Sequence, residues 1–336
     1  MLTRRDFVKK SVCAISAPAL WPVMAKEYVQ TVLGKVEIGE LGRCLVHEHF
    51  LVDFIGAALT GYHRWNRDAV VQKVLPYLNE IKRLGVQTIF ECTPAYLGRD
   101  PELLKILSNS TGLHIVTNTG FYGAVDNKYL PAFVYDLNAE RIADIWIREF
   151  EKGIEKSGVK PGFIKTSVNP GPLSLLHQKL IKAAALTHRA TGLSICSHTG
   201  PAFPAFEEMD ILEKQGVKLD AFVWVHAQNE SDDTKLIEGA RRGAMISLDG
   251  VHENSIESYA SRIELFRNKG LLHKLLIAHD AGWYKPDEEN GGEFRPFTDI
   301  FNFLIPELKS RSFEEKEIAQ LLDKNPAETF KLREDN

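Results

Sequence analysis

The sequence predicts an α/β protein, a single (β/α)8 TIM barrel preceded by a short N-terminal β-hairpin. Short runs rich in β-branched residues alternate eight times with longer segments of helical periodicity. No linker rich in Gly, Ser or Pro interrupts this alternation, and no shift in composition divides the 336 residues. Barrels of this type often exceed about 250 residues as one domain, so one barrel accounts for the length. An open, doubly wound sheet is the alternative fold.

The predicted elements follow one another in a regular order. A hairpin is predicted over residues 29–39, and eight strands are predicted at 44–50, 88–93, 115–120, 163–168, 194–198, 222–226, 245–248 and 275–280. Helices are predicted at 68–83, 101–110, 139–156, 174–190, 205–215, 231–242 and 255–268, with more helix after residue 295. Because helix separates the strands, we expect them to run parallel, with their carboxyl ends at one mouth of the barrel.

The first 25 residues are typical of an export signal. Arg4 and Arg5 open a basic segment, and a moderately apolar stretch over 11–24 ends beside a small residue. The arginine pair is typical of twin-arginine signals, which carry folded proteins across the bacterial inner membrane. Two prolines in the stretch disfavour the alternative, an amphipathic first helix of the folded domain. We therefore predict a signal over 1–25, a barrel domain over 26–336 and a periplasmic location.

Composition and charge exclude several classes of protein. With 44% hydrophobic and 26% charged residues, the chain is neither disordered nor collagen-like. Its net charge of −4 does not favour electrostatic binding to nucleic acid. No apolar run reaches the roughly 18 residues that a membrane-spanning helix requires. Glycine-rich phosphate-binding loops are also missing from the sequence. We therefore expect a small-molecule substrate, with neither nucleic acid nor membrane as a partner.

Three cysteines follow the predicted signal, and all three lie in apolar runs typical of strands. Cys44, Cys92 and Cys196 form no CxxC pair, and their number is odd. A complete set of disulfides or a thiolate zinc site is therefore not indicated. We expect buried thiols that pack as small hydrophobic side chains.

Residues that bind metal ions in proteins lie on five of the predicted strands. Two histidines in the first strand are spaced by two, which places both on one face. Three other strands end on a histidine or an aspartate, and the fourth strand carries a lysine between apolar residues. The set consists of His47, His49, Lys165, His198, His226 and Asp280.

Each of these residues also has a simpler interpretation. A single histidine in a strand is usually a hydrogen-bonded core residue, Lys165 could lie at the rim with its ammonium in water, and Asp280 could cap a helix. Together, however, they would crowd one barrel mouth, where burying them unpaired would cost several kcal/mol. A bound cation removes this cost, and imidazole with carboxylate suits Zn²⁺.

The chain resembles the phosphotriesterase family of the amidohydrolase superfamily over nearly all of 27–330. The hairpin and the HxH strand are similar to those of the family. So are the stretches 98–101 (Gly-Arg-Asp-Pro), 117–122 (Thr-Asn-Thr-Gly-Phe-Tyr) and 325–327 (Asn-Pro-Ala). The resemblance implies a binuclear metal hydrolase with two divalent ions, for which we expect Zn²⁺.

The resemblance also implies how the ions would be bound. His47, His49 and Asp280 would hold the more buried ion, and His198 and His226 the more exposed one. In the family, the lysine of the fourth strand reacts with CO₂ to form a carbamate that bridges both ions.

By the same resemblance, Lys165 would be the carbamylated lysine, and a hydroxide bridging the ions would attack an ester, lactone or phosphoester. Asp280 would accept the proton, which makes it a predicted catalytic residue. Tyr122 is the second, because it matches a tyrosine of the lactonase-like branch whose hydroxyl lies over the metals. A tyrosine that merely fills space at the rim remains the alternative. A homodimer is compatible with the resemblance.

Two positions depart from the family pattern. Gln228 stands where the family usually has an aspartate that carries protons away from the metal-binding aspartate, and an amide cannot do so. Gly250 stands where lactonase-like members often have arginine and phosphotriesterases have histidine. Two alternatives to the binuclear hydrolase remain. One is a mononuclear amidohydrolase-type deaminase or amidase, and the other is a periplasmic barrel without catalytic activity.

Overall fold

The computed structural model describes residues 26–333, so the predicted export signal over 1–25 lies outside the described residues. The strands are β1 Glu27–Thr31, β2 Gly34–Glu37, β3 Arg43–Leu51, β4 Val86–Glu91, β5 His114–Val116, β6 Asn118–Thr119, β7 Phe163–Ser167, β8 Ile195–His198, β9 Phe222–Val225, β10 Met245–Leu248, β11 Leu275–Ile277, β12 Gly282–Tyr284 and β13 Leu332–Arg333. The helices are α1 Arg67–Arg83, α2 Pro101–Thr111, α3 Phe133–Asp136, α4 Ala139–Lys152, α5 Leu175–Thr191, α6 Ala202–Lys214, α7 Asp233–Arg242, α8 Ile256–Asn268, α9 Ile305–Ser310, α10 Glu315–Ala319 and α11 Asn325–Phe330.

The strands are arranged as the sequence predicts. β12, β3, β4 and β5 form one parallel sheet, and β6 to β11 follow as a second parallel sheet in chain order. The segments 114–119 and 275–284 each contain two strands, one in each sheet, and so connect the two sheets. This order confirms the (β/α)8 barrel. β1 and β2 form the predicted antiparallel hairpin, and β13 pairs with β1.

Helix boundaries follow local capping signals. Asp100 accepts a hydrogen bond from the backbone of Leu103 at the start of α2, and Gly112 ends that helix in the left-handed region. Asn138 caps α4 in the same way. The predicted helix over 139–156 ends earlier, at Lys152, because Gly153 adopts a φ of +94° that an α-helix cannot contain. None of the helices within 26–333 is long and apolar enough to cross a membrane.

The core has two parts. Most of it lies between the strands and the surrounding helices, and a second cluster fills the barrel interior. Phe330 of α11 closes the amino-terminal end of the barrel, where its ring lies 4.2 Å from that of Phe90 and 5.8 Å from that of Phe163. The three cysteines are buried and free, as predicted. One barrel end is therefore packed with apolar side chains, which leaves the other end for polar ones.

Gly120, at the end of the third barrel strand, lies against the backbone of β7. Its φ is +125°, and a β-carbon at this position would overlap the carbonyl oxygen of Lys165. Only glycine allows both the backbone conformation and this close approach. The third strand is thereby held next to Lys165.

Glu208 of α6 is a carboxyl group buried behind the end of β8. Its oxygens accept hydrogen bonds from the hydroxyls of Ser197 and Thr199, the latter at 2.6 Å. Burial raises the pKa of Glu208 to about 8, although both hydroxyl contacts oppose the change. At neutral pH this side chain is therefore mainly a neutral acid.

We expect Gly120→Ala to lower the free energy of unfolding by about 3 kcal/mol, from steric overlap and backbone strain together. Urea denaturation measures the loss. Gly158→Ala is the matched control, because Gly158 has a φ of +72° with no heavy atom near its β-carbon position. The control should lose about 1 kcal/mol. Equal losses in the two variants would contradict a role for close packing against Lys165.

We expect the stability difference between Glu208→Gln and the wild type to change with pH. Between the pKa of an unfolded glutamate and about 8, the folded state holds a proton that the unfolded state lacks. The wild type therefore loses stability as pH rises through this range, and the glutamine variant does not. Urea denaturation at pH 5 and pH 8 should show that the free energy of unfolding of the variant, relative to that of the wild type, is higher at pH 8 than at pH 5. Asp210→Asn, which removes an exposed carboxylate from the same helix, is the control. A constant difference would mean that Glu208 is ionised in the folded protein.

Candidate metal centre

The structure brings the six predicted metal-binding residues together at the carboxyl end of the barrel. Three of them lie within strands, one ends a strand, one directly follows a strand and one lies in a short connection between two strands. His47 and His49 lie on β3, Lys165 on β7, His198 at the end of β8, His226 directly after β9 and Asp280 between β11 and β12. Two of them, His226 and Asp280, have left-handed backbones, with φ of 60° and 50°. Such strain is common at functional sites.

A β-bulge directs the two histidines of β3 into the barrel. Cys44 and Val46 belong to the apolar cluster inside the barrel, so strict alternation would direct His47 outwards. The pairing of β3 with β4 shifts register between Leu45 and Glu48. This shift reverses the alternation, so that His47 follows Val46 on the inner side. The HxH spacing alone did not reveal this irregularity.

The first group of candidate ligands consists of His47, His49 and Asp280, and two contacts connect their ligand atoms. The Nε2 atom of His49 lies 3.1 Å from Oδ1 of Asp280, and Nε2 of His47 lies 3.8 Å from the same oxygen. One ligand atom from each residue lies within 4.8 Å of the others, as a shared ion requires. Burial alone would raise the pKa of Asp280, but the hydrogen bond from His49 and the nearby histidine charges hold it below its usual range. The group is therefore an anionic site with two imidazoles.

Lys165 lies in the middle of the site and is almost completely buried. Its Nζ atom lies 3.1 Å from Nε2 of His47, and no carboxylate of the described residues lies within ion-pair distance of it. Burial and the charge of Lys165 lower the pKa of His47 to about 4. A buried ammonium without a paired anion is costly. These surroundings fit a lysine whose ammonium is replaced by an anionic carbamate between two cations. The imidazole and carboxylate donors around it fit divalent zinc.

The second group consists of His198 and His226, with Tyr122 beside them. The two imidazole rings lie 4.2 Å apart, and the ring of His226 lies 5.1 Å from that of His47. The hydroxyl of Tyr122 lies 2.9 Å from Nδ1 of His198. Burial and the neighbouring His226 lower the pKa of His198 well below its usual value. The predicted catalytic tyrosine is thus in direct contact with a predicted metal-binding residue.

Asp249, at the end of the seventh barrel strand, is the functional residue that the sequence analysis missed. Its carboxylate accepts hydrogen bonds from Nδ1 of His47 at 3.2 Å and from Nδ1 of His226 at 2.6 Å. Ser247 and the backbone of His226 donate to it as well. Burial would raise the pKa of Asp249, but the charges of His226 and His47 hold it well below its usual range. The carboxylate therefore orients both rings, as the partners of metal-bound histidines do. Its position at a strand end was the signal that could have identified it.

His49 is oriented through a hydroxyl instead. Its Nδ1 atom lies 2.8 Å from Oγ1 of Thr93, which donates a hydrogen bond to the buried carboxyl group of Glu91. Burial raises the pKa of Glu91 to about 7. With Nδ1 engaged in this way, Nε2 of His49 is the nitrogen directed at Asp280.

The two departures from the family pattern are in contact with each other. Gln228 donates from Nε2 to Asp249 at 3.0 Å and accepts from the Asp249 backbone at 3.1 Å. A β-carbon on Gly250 would lie 2.7 Å from the hydroxyl of Tyr259 and 3.0 Å from Nε2 of Gln228. The glycine thus leaves room for an amide that supports Asp249.

Aromatic side chains form one wall of the site. The ring of Trp283 stands edge-on to His49 at 6.3 Å and to Phe54 at 5.8 Å, and Phe54 contacts Tyr129. Tyr284, the next residue in the chain, packs into the main core, so of these two neighbouring aromatic residues only Trp283 contributes to the wall.

Comparisons with known proteins identify relatives of this chain. The aryldialkylphosphatase of Saccharolobus solfataricus is 27% identical over 309 residues, covering 88% of this chain and 96% of that protein. The N-acetyltaurine hydrolase of Rattus norvegicus is also 27% identical, over 90% of this chain and 98% of that protein. The structure of the organophosphorus hydrolase from Deinococcus radiodurans superposes with a TM-score of 0.82 at 24% identity, covering 94% of this chain and all of that one, and so shares the fold. The model of the phosphotriesterase family matches residues 27–330. The chain therefore belongs to the phosphotriesterase family.

Proposed function

We propose that this phosphotriesterase-family hydrolase uses two divalent metal ions, zinc in our expectation, to hydrolyse an ester, lactone or phosphoester. The observation that supports this most directly is the convergence of four histidines and one aspartate at one site, next to the buried Lys165, which has no paired carboxylate among the described residues. Once carbamylated, Lys165 would hold the two histidine groups at a fixed separation. Bound divalent ions would lower the pKa of water and polarise the oxygen of the bond that is cleaved.

The side chains of the site have distinct parts in this proposal. Asp280 would bind an ion and accept the proton, and its contact with His49 fixes its carboxylate for both tasks. Tyr122 would donate a hydrogen bond from a hydroxyl whose pKa burial raises, so it remains protonated. Asp249 would hold the rings of His47 and His226 in one orientation. The wall around Trp283 would exclude water from an apolar part of the substrate.

An amide is the second candidate substrate. One curated relative is named for the hydrolysis of N-acetyltaurine, and a carbonyl carbon is attacked in amides as in esters. Esters, lactones and phosphoesters remain the first choice, because another relative is named as an aryldialkylphosphatase. We expect a small-molecule substrate in either case, and two bound ions per chain would distinguish both reactions from that of a mononuclear deaminase.

We expect the protein over 26–336, produced with zinc or cobalt and bicarbonate, to contain about two ions per chain. Elemental analysis measures the ions, and a panel of lactones, aryl esters, phosphotriesters and N-acyl amines measures the activity. Asp280→Asn should lower kcat by about 10²–10⁴-fold, because an amide cannot accept the proton. Lys165→Ala should lose both metal and activity, and short carboxylic acids should partly restore them. Asp210→Asn is the control on the surface.

Other outcomes would contradict specific parts of this proposal. One ion per chain with no carbamate would exclude the binuclear mechanism and favour the mononuclear one. Two ions per chain without turnover of any panel member would favour a barrel without catalytic activity, and Asp280→Asn would then have no reaction to affect.

We also propose that residues 1–25 direct export to the periplasm by the twin-arginine route. Replacing Arg4 and Arg5 together by lysine should leave precursor in the cytoplasm, because that route requires the arginine pair. Fractionation followed by immunoblotting measures the two pools. Normal export of the double-lysine variant would contradict the assignment.

A further inference from the structure

Glu48 is a fully buried carboxylate between the two histidines of β3, on the opposite face of the strand. It lies among apolar side chains outside the barrel mouth, where an apolar residue would be cheaper to bury. Three donors compensate for its burial. These are Nδ1 of His279 at 2.7 Å, the backbone of His279 at 3.0 Å and the backbone of Ala281 at 3.1 Å.

The two backbone donors lie on either side of Asp280. This residue has a φ of 50°, a left-handed conformation that is unfavourable for residues with a β-carbon and is adopted mainly by glycine and less often by asparagine and aspartate. Its own backbone donates to the carbonyl of His47 at 3.0 Å, and the backbone of His49 donates to the carbonyl of Ala281 at 2.9 Å. Glu48 thus binds the backbone N–H groups of the residues before and after Asp280 and connects them to the strand that carries both histidines.

His279 completes the arrangement. Its ring is fully buried, and its Nε2 atom accepts a hydrogen bond from the backbone of Ile300 at 3.1 Å. Since Nε2 is an acceptor, Nδ1 carries the hydrogen that is donated to Glu48. The ring therefore connects the Glu48 carboxylate to the helical turn Ile300–Leu304. Movement of the segment around Asp280 would break contacts at both ends of this connection.

We propose that Glu48 and His279 are positioning residues that hold Asp280 in its left-handed conformation and so aim its carboxylate at His49 and His47. Neither residue touches the site itself, because Glu48 faces away from the mouth and His279 is enclosed by Glu48 and Ile300. They act on the site through the backbone of 279–281. The kinetic part of this inference rests on the hydrolysis in the proposed function, whereas its metal-binding part rests only on the binding of a divalent ion at the site.

The test compares Glu48→Gln with the wild type in the protein over 26–336. The glutamine keeps the size of the side chain but presents an NH₂ group to donors that need an acceptor. We expect kcat to fall by about 10–100-fold with KM changed less than threefold, and the affinity for Co²⁺ to fall by a similar factor. Titration with Co²⁺, followed by visible absorbance, measures affinity without any substrate. Circular dichroism and urea denaturation show that the variant is folded.

Two further variants make the result specific. His279→Asn removes the ring that donates to Glu48, and the double variant should lose no more than the larger single loss if both residues act as one unit. The single variant His279→Asn also keeps the inference testable if Glu48→Gln does not fold. Asp100→Asn is the matched control, because Asp100 is a buried carboxylate that caps α2 and pairs with Arg67. It should lower stability and leave kcat and Co²⁺ affinity unchanged.

The inference is overturned if Glu48→Gln and His279→Asn lose only stability, with kcat per folded molecule and Co²⁺ affinity equal to those of the wild type. It is also overturned if the wild type does not bind Co²⁺. Failure of the proposed function has a different signature. The wild type would then bind Co²⁺ without hydrolysing any substrate of the panel, and the Co²⁺ titrations of the variants would still decide whether Glu48 and His279 position Asp280.

Discussion

The carboxylate of Asp249 is the interaction on which the rest of the site depends. It binds His47 from β3 and His226, which directly follows β9, so two strands distant in sequence share one anion. Both rings are buried, and each requires a partner for Nδ1 if Nε2 is to face the site. Without this anion, Nδ1 of His47 would lose its carboxylate partner, while Nε2 of the same ring would still lie 3.1 Å from the buried Lys165. The strand ends therefore cannot rearrange independently.

Two other buried carboxyl groups support residues of the site in a similar way, but through a hydroxyl or through the backbone instead of directly. His49 is connected to Glu91 through Thr93, and Asp280 is connected to Glu48 through two peptide groups. Each buried carboxyl group is costly to desolvate, and hydrogen-bond donors compensate for this cost at Asp249, at Glu48 and at one oxygen of Glu91. A network of this kind disfavours intermediate geometries, because displacing one ring or peptide exposes an unsatisfied charge. Rigidity is what a site for metal ions requires, since their ligands must converge on fixed points.

The sequence predicted the barrel and the six residues at its mouth, because both depend on short-range patterns. Strands and helices follow periodicity, and the ligand positions follow from strand ends and from resemblance. The bulge between Leu45 and Glu48 was not predictable in this way, because it depends on register with β4. Asp249 and Glu48 were visible in the sequence but had no assigned role, since their partners are more than 20 residues away along the chain. The end of α4 at Lys152 was missed because Gly153 had been treated as part of a periodic segment.

Gln228 and Gly250 show how one local change can alter two positions at once. The amide of Gln228 bonds Asp249 in both directions, which a carboxylate cannot do because it has no hydrogen to donate. A negative charge at 228 would also lie next to Asp249 and weaken its hold on His226. A side chain at 250 would displace the hydroxyl of Tyr259 or the amide itself. Restoring either family residue alone would therefore disturb the anion that orients the histidines. In the proposed reaction, protons released near Asp280 would leave the site without a carboxylate at position 228, and the contacts of Gln228 stabilise Asp249 instead.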